Sequence, residues 1–414
     1  MLCTWVTLNP FSGLWDPDGT LTFVHRSGDS CAADATADCD TEEQKGAPPT
    51  LSCVGNPINI AIGNKYQRED DYVPVGGPNR GFSRFYNSVD GVWRHTYATH
   101  LRLSLDKWAL IKADGQEFYF TANAGDPWSG GTALTNNGSY WEWASNEGER
   151  FRFDASGRLI NWRDPSGAEQ NISYADGQAV VTNDLGQTLT FTEDDLHQPL
   201  TLTTGALKIT YDYNMDQRLV QVNREWMQGV THRQYVYEDP RNTGLLTGIV
   251  DERGVRFATW AYDAQWRAVS SEHAGGAERT VVAYNADESR TVTNELGKSA
   301  TYRFVTVGKI KHVSAIEGEP SPSCPASNST YTYNDSGQML TKTDAKGLVT
   351  TYSYNSRGLE TSRTEASGTP LARTVTTEWD PTLVLKTRVV EPTRTTVYTY
   401  DAQGRQLNQQ TTSN

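Results

Sequence analysis

An all-β fold of stacked hairpins is what this sequence predicts, and three observations predict it: strand-forming composition, a dense series of turn signals, and an internal repeat built on tyrosine. The 414 residues include 20 Tyr, 12 Trp and 35 Gly but only 4 Met. Aromatic and β-branched side chains suit a pleated surface, and glycine suits the turns between strands. Very little helix is expected.

Residues 1–52 read as an N-terminal extension or linker. A short aromatic segment from Phe11 to Phe23 is followed by an acidic, small-residue stretch from Asp29 to Glu43, which is poor material for a core. Asp16-Pro17-Asp18-Gly19 opens like a calcium loop but lacks the later alternating acids and distal Glu, so it reads as a tight turn. Cys31, Cys39 and, at its border, Cys53 fall in one Asp/Ala/Pro-rich stretch, where a covalent staple would compensate for missing core. A disulfide between two of them is expected, Cys3 is the natural partner for the third, and unpaired thiols are the alternative. The spacing lacks the paired Cys-x-x-Cys of zinc ribbons and no His lies nearby, so no metal site is expected. Cys324 makes the count five, which leaves one thiol free or paired with another chain.

Residues 53–150 read as a small all-β domain. Phe82, Arg84 and Tyr86 share one parity, Leu101, Leu103 and Leu105 another run, and Phe118-Tyr119-Phe120 a third. Gly76-Gly77-Pro78-Asn79, Asp90-Gly91, Asp114-Gly115 and Asn137-Gly138 supply the bends that hairpins require.

Residues 151–414 form the repeat. An aromatic, often within Tyr-x-Tyr, precedes Asp or Asn, a short turn, then Leu and a Thr/Arg-rich strand. Clear copies begin at Tyr331-Thr332-Tyr333-Asn334, Tyr352-Ser353-Tyr354-Asn355 and Tyr398-Thr399-Tyr400-Asp401. Weaker ones surround Phe153, Tyr213, Tyr237, Tyr262, Tyr284 and Trp379, at a period of roughly 21 residues, enough for two strands and two turns. Period-two spacing puts the rings on one face of a strand. Asp or Asn bends the chain by accepting nearby amides, and Gly completes the turn. A single hairpin cannot bury its aromatic row, whereas stacked hairpins build a self-stabilising ladder.

The net charge of −13 and the absence of basic runs argue against nucleic acid as a partner. No stretch approaches the roughly 18 apolar residues that a membrane-spanning helix needs. Met1–Leu8 is too short and too uncharged for a complete secretory signal, so the chain is either cytoplasmic before secretion or preceded by a true signal segment. No catalytic or cofactor-binding constellation is expected. His95 and His100, five apart in a strand-like segment, should face opposite sides of a sheet, and Ser27-Gly28-Asp29-Ser30 lacks the nucleophile-elbow context. The pairs Asp70-Asp71 and Asp194-Asp195 read as solvated turn acids, because adjacent strand residues diverge. Trp93, Trp141, Trp143, Trp226 and Trp266 are candidates for stacking on sugar rings, against the simpler reading of packed shell aromatics.

The Tyr-Asp copies from Phe151 to Gln410 resemble the YD repeats of RHS proteins, also found in teneurins and insecticidal toxin complexes. Gly55-Asn56-Pro57-Ile58-Asn59, Gly63-Asn64-Lys65, Glu69-Asp70-Asp71-Tyr72, Phe82-Ser83-Arg84-Phe85-Tyr86-Asn87-Ser88 and Trp93-Arg94-His95-Thr96-Tyr97 resemble the segment that precedes such repeats. The resemblance implies a β-sheet spiralling into part of a hollow shell around a C-terminal effector, and a non-catalytic scaffold role in a secreted or contact-delivered toxin system, at the cell surface or outside the cell. It implies as partner the remaining shell and toxin segment, or another chain pairing at the open sheet edge. The proline-rich boundary motif of the family is missing, so cargo and self-cleavage are not carried over. The competing expectation is an adhesion module binding a cell-surface glycan or protein, with a polysaccharide hydrolase third.

Overall fold

The computed structural model describes residues 43–74, 81–103, 107–121, 132–145, 148–227, 229–321, 324–401 and 404–414. Among these there is no α-helix; two short 3-10 turns, Thr50–Ser52 and Ala274–Gly276, are the helical content. The strands fall into three sheets. A five-stranded sheet comprises Cys53–Val54, Ile58–Asn59, Asn64–Tyr72, Phe82–Asn87 and Val92–His95. A three-stranded sheet comprises His100–Leu103, Lys107–Ile111 and Glu117–Thr121. Everything from Thr135–Asn136 to Gln406–Ser413 belongs to one antiparallel sheet of 26 strands, each paired with its neighbours in sequence. Residues 43–46 are buried, and Lys45 is held by Asp90 at 2.9 Å and Glu117 at 3.0 Å.

The reason so many strands follow one another is local. At Asn355 the side-chain Oδ1 accepts the amides of Arg357 and Leu359, both at 3.0 Å, while Gly358 N–H donates to the Asn355 carbonyl and Asn355 N–H to the Leu359 carbonyl. Gly358 sits at φ 80°, and the pairing register shifts between Ser353 and Tyr354. This is a type I turn closed by a left-handed residue, with a bulge that adds twist. The same pattern recurs at Asp154, Asp194, Asn214, Asp263, Asn334 and Asp401.

Tyrosine supplies the second half of the device. The hydroxyls of Tyr213, Tyr262, Tyr284, Tyr333, Tyr354 and Tyr400 donate to the carbonyls of Pro199, Leu246, Ala268, Val313, Met339 and Lys386, at 2.7–2.9 Å. Trp379 does the same through Nε1 to Glu360 O at 2.9 Å. Each such bond ties a repeat to the one before it, at a net worth of about 1 kcal/mol. Asp or Asn thus shapes the turn, and Tyr links successive hairpins.

The sheet does not close by strand pairing. Gln406–Ser413 pairs with Arg394–Tyr400 and Thr135–Asn136 with Trp141–Ala144, but among the described residues no pairing joins the two ends. Instead the sheet comes round on itself through its turns. Val384 N–H donates to Pro165 O at 3.1 Å, and Gly404 (φ 79°) lies so close to the Ser166 carbonyl that a Cβ there would overlap it. The turn after Leu159–Arg163 therefore meets turns some ten hairpins later, edge upon edge, as a spiral requires.

Candidate functional site

The N-terminal sheets and the array share one hydrophobic core. It runs from Ile58, Phe82, Tyr86 and Trp93 through Phe153, Phe191, Ile209 and Trp260 to Val292. Phe82 lies 5.6 Å from Phe191 and Trp93 lies edge-on to Tyr235 at 4.9 Å. Backbone groups cross the seam as well. Ala268 N–H donates to Gly63 O and Leu101 N–H to Gly157 O, both at 2.8 Å. Gly157, at φ 89°, leaves no room for a Cβ beside the Leu101 carbonyl. Tyr86 OH donates to Gly244 O at 2.7 Å and accepts Leu246 N–H at 2.8 Å.

A buried ionic network sits in this seam. Asp71 accepts Arg84 through Nε at 2.5 Å and Nη2 at 3.0 Å, Arg224 Nη2 at 2.6 Å and Tyr211 OH at 2.8 Å. Arg84 also donates to Tyr235 OH at 2.8 Å and lies 5.0–5.3 Å from the rings of Trp93, Tyr211 and Tyr235. Burial opposes charge on Arg84, but Asp71 beside it outweighs that and holds the guanidinium well above its ordinary pKa. Lys65 is fully buried over the Trp260 ring at 4.1 Å, and burial pushes its ammonium well below the usual range.

A second cluster lies further along the seam. Glu193 accepts His95 Nε2 at 2.9 Å and pairs with His197 Nδ1 at 3.1 Å, while His100 stacks on His197 with ring centroids 4.1 Å apart. The two histidines expected on opposite sides of a sheet therefore meet one cluster, because the chain leaves the strand after His95 and re-enters another sheet at His100. Asp71, read as a solvated acid, is instead fully paired inside the protein, whereas Asp194 is indeed a turn residue.

The tryptophans divide by burial. Trp93 and Trp143 are core residues at 0% and 4% exposure, so neither presents a face to a sugar: Trp93 donates to Tyr237 OH at 2.9 Å, and Trp143 packs on Phe118 and Phe151. Trp141 is half-buried, edge-on to Trp108 at 4.8 Å. Trp226 and Trp266 are exposed. Trp266, at φ 62°, takes the slot that Gly404 fills in the sister turn Asp401–Arg405. Cys3, Cys31 and Cys39 lie outside the described residues, and Cys53 is exposed with no disulfide partner among the described ones.

Beyond Tyr331 the aromatic row is no longer covered. Tyr352, Tyr354, Trp379, Tyr398 and Tyr400 are only half-buried, and all eight residues of Gln406–Ser413 are exposed. That last strand has no charged residue and no proline, so its outward backbone groups form an unguarded edge. Among the described residues no group of three or more His, Cys, Asp or Glu is arranged to hold a metal ion, and no helix is long and apolar enough to cross a membrane.

Geometry and sequence together define a β-hairpin repeat array wound around an N-terminal domain. Residues 55–120 match a domain of unknown function, DUF6531, and residues 333–370 match the RHS repeat. The chain thus carries an RHS repeat behind a DUF6531 segment. No curated protein sequence matches it. Solved structures similar to it include the Photorhabdus luminescens Tc holotoxin pore with the mutation TccC3-D651A (9% identity, TM-score 0.42, covering 89% of this chain and 26% of that one). Another is TcdB2-TccC3 without its hypervariable C-terminal region (12% identity, TM-score 0.41, 83% and 22%). The chain spans about a quarter of the length of these structures. At such scores they add nothing to what the strand order of this chain establishes.

Proposed function

We propose that this chain is a non-catalytic scaffold, the N-terminal part of an RHS shell in a secreted or contact-delivered toxin system. The observation that carries the reading is the unequal filling of the spiral. Its first strands close around the N-terminal sheets, whereas its later strands present an aromatic face and an unpaired edge. An incomplete wall of this kind fits a continuing strand of the same shell, whose backbone would pair with Gln406–Ser413. The toxin system is the reading that the RHS repeat supports, and the secreted or surface location belongs to that reading.

The test is to follow the reading frame past Asn414 and express the longer product. Further Tyr-Asp strands ending in a protease-protected C-terminal domain are the expected result. A genuine stop, with the purified 414-residue chain monomeric at high concentration, would overturn the reading. The edge is tested separately by Asn408→Lys with Gln410→Lys, which should lower concentration-dependent association in sedimentation velocity without changing the fold.

A further inference from the structure

Four residues ahead of the first sheet are gripped more tightly than their place in the chain requires. Glu43, Gln44, Lys45 and Gly46 are buried, whereas Ala47, Pro49 and Thr50, which link them to the rest, are exposed. The Glu43 carbonyl accepts Gln116 Nε2 at 3.0 Å. Gln44 uses both ends of its amide as a neighbouring strand would use its backbone. Its Nε2 donates to Lys309 O at 3.2 Å and its Oε1 accepts Lys311 N–H at 2.9 Å, at the turn between Ser299–Val307 and Ile310–Ser321. Gly46 N–H donates to Asn87 Oδ1 at 2.9 Å, and at φ 90° it lies so close to the Asp114 carboxylate that a Cβ would overlap it. The five-stranded sheet, the three-stranded sheet and the array thus all hold one short segment.

Lys45 makes the strongest of these contacts. Its fully buried ammonium donates to Asp90 Oδ2 at 2.9 Å and to Glu117 Oε1 at 3.0 Å. The two carboxylates are also held by other groups. Asp90 accepts Arg94 Nη1 at 2.8 Å and Val92 N–H at 3.1 Å, and Glu117 accepts Arg102 Nη2 at 3.1 Å and Tyr119 OH at 2.9 Å. Each acid therefore has an arginine of its own from the N-terminal sheets, so the acceptors for Lys45 are set in place by the sheets and not by Lys45 itself. A neutral side chain in its place would keep the desolvation and forfeit both charge-assisted bonds.

We infer that residues 43–46 fill a peptide-binding socket, and that this socket, rather than the covalent link through Ala47–Thr50, holds everything before residue 43 to the rest of the protein. Its ligand is an extended peptide carrying Gln-Lys-Gly: the glutamine pairs with the array, the lysine enters between the two acids, and the glycine passes Asp114. A chain cut in the exposed link keeps its N-terminal piece, and a free peptide of the same sequence competes for its place. The bound piece also ties the hairpin turn at Lys309 to the N-terminal sheets across 265 positions of sequence.

A recognition sequence for a site-specific protease, inserted between Ala47 and Pro48 of the full chain, tests the socket. After complete cleavage, at about 1 µM, the N-terminal piece should still co-elute with the body in size-exclusion chromatography. Incubation to equilibrium with excess synthetic peptide Thr41–Pro48 should release it. The same peptide carrying Lys45→Met or Gly46→Ala should be at least about tenfold less effective, as expected when one partner of a buried ion pair or the only residue that fits is removed. The substitutions sit in the peptide, so the comparison does not depend on the folding of a variant chain. Separation of the piece on cleavage, retention that no peptide reverses, or equal release by all three peptides would each overturn the proposal.

Discussion

The strands up to about Tyr331 and the strands after it are written in the same repeat grammar, yet they are not held equally. Tyr211 is buried and Tyr213 half-buried against the core shared with the N-terminal sheets, and burial raises both hydroxyls well above the ordinary tyrosine pKa. Tyr398 and Tyr400 occupy the same positions in the last copy and stay half-exposed. The difference teaches that the repeat specifies turns and strand pairing, while stability comes from whatever covers the aromatic face.

The sharpest way to test this contrast is to remove one charge from each region. Asp71→Ala leaves Arg84 buried without its partner and should cost about 3–5 kcal/mol in urea denaturation. Glu378→Ala breaks the exposed pair with Arg388 and should cost less than about 1 kcal/mol. Truncating rings comes next. Phe191→Ala should cost about 3–5 kcal/mol, against about 1 kcal/mol for Tyr352→Ala, measured in the same way. Without any mutation, the amides of Val349–Tyr354 should exchange at least about tenfold faster than those of Leu207–Tyr213. The smallest effect isolates the hydroxyl that links hairpins. Tyr262→Phe leaves a buried carbonyl, Leu246 O, unpaired and should cost about 1–2 kcal/mol, whereas Tyr400→Phe, whose acceptor can turn to water, should cost about 0.5 kcal/mol or less. Equal losses within any of these pairs would mean that the grammar alone sets stability.

The array was legible in the sequence because its determinants lie within a few residues of one another. Asn355 and Gly358 form a turn whatever the rest of the chain does, and Tyr354 finds Met339 fifteen positions back. Alternation also told which residues share a face. It does not tell which faces are covered, so alternation alone cannot separate packed aromatics from sugar platforms at Trp93 and Trp143, both of which are core. The seam was not legible, since it joins residues far apart: His95 and Glu193 are separated by 98 positions, and Arg290 and Ile60 by 230. One signal was nonetheless present. Glu193 stands where neighbouring copies carry an aromatic ring, and aligning the weaker copies by their turns exposes it.

The shared core is compatible with assembly in the order of synthesis. Residues 55–120 leave the ribosome before any strand of the array, and hairpin pairing needs only contacts between adjacent strands. The wall can therefore be wound as it is made, each new strand laid on the last and the first coil drawn onto a mandrel already in place. A fold dominated by long-range pairing has to wait for its whole chain, whereas here each strand of the wall pairs with the one made just before it.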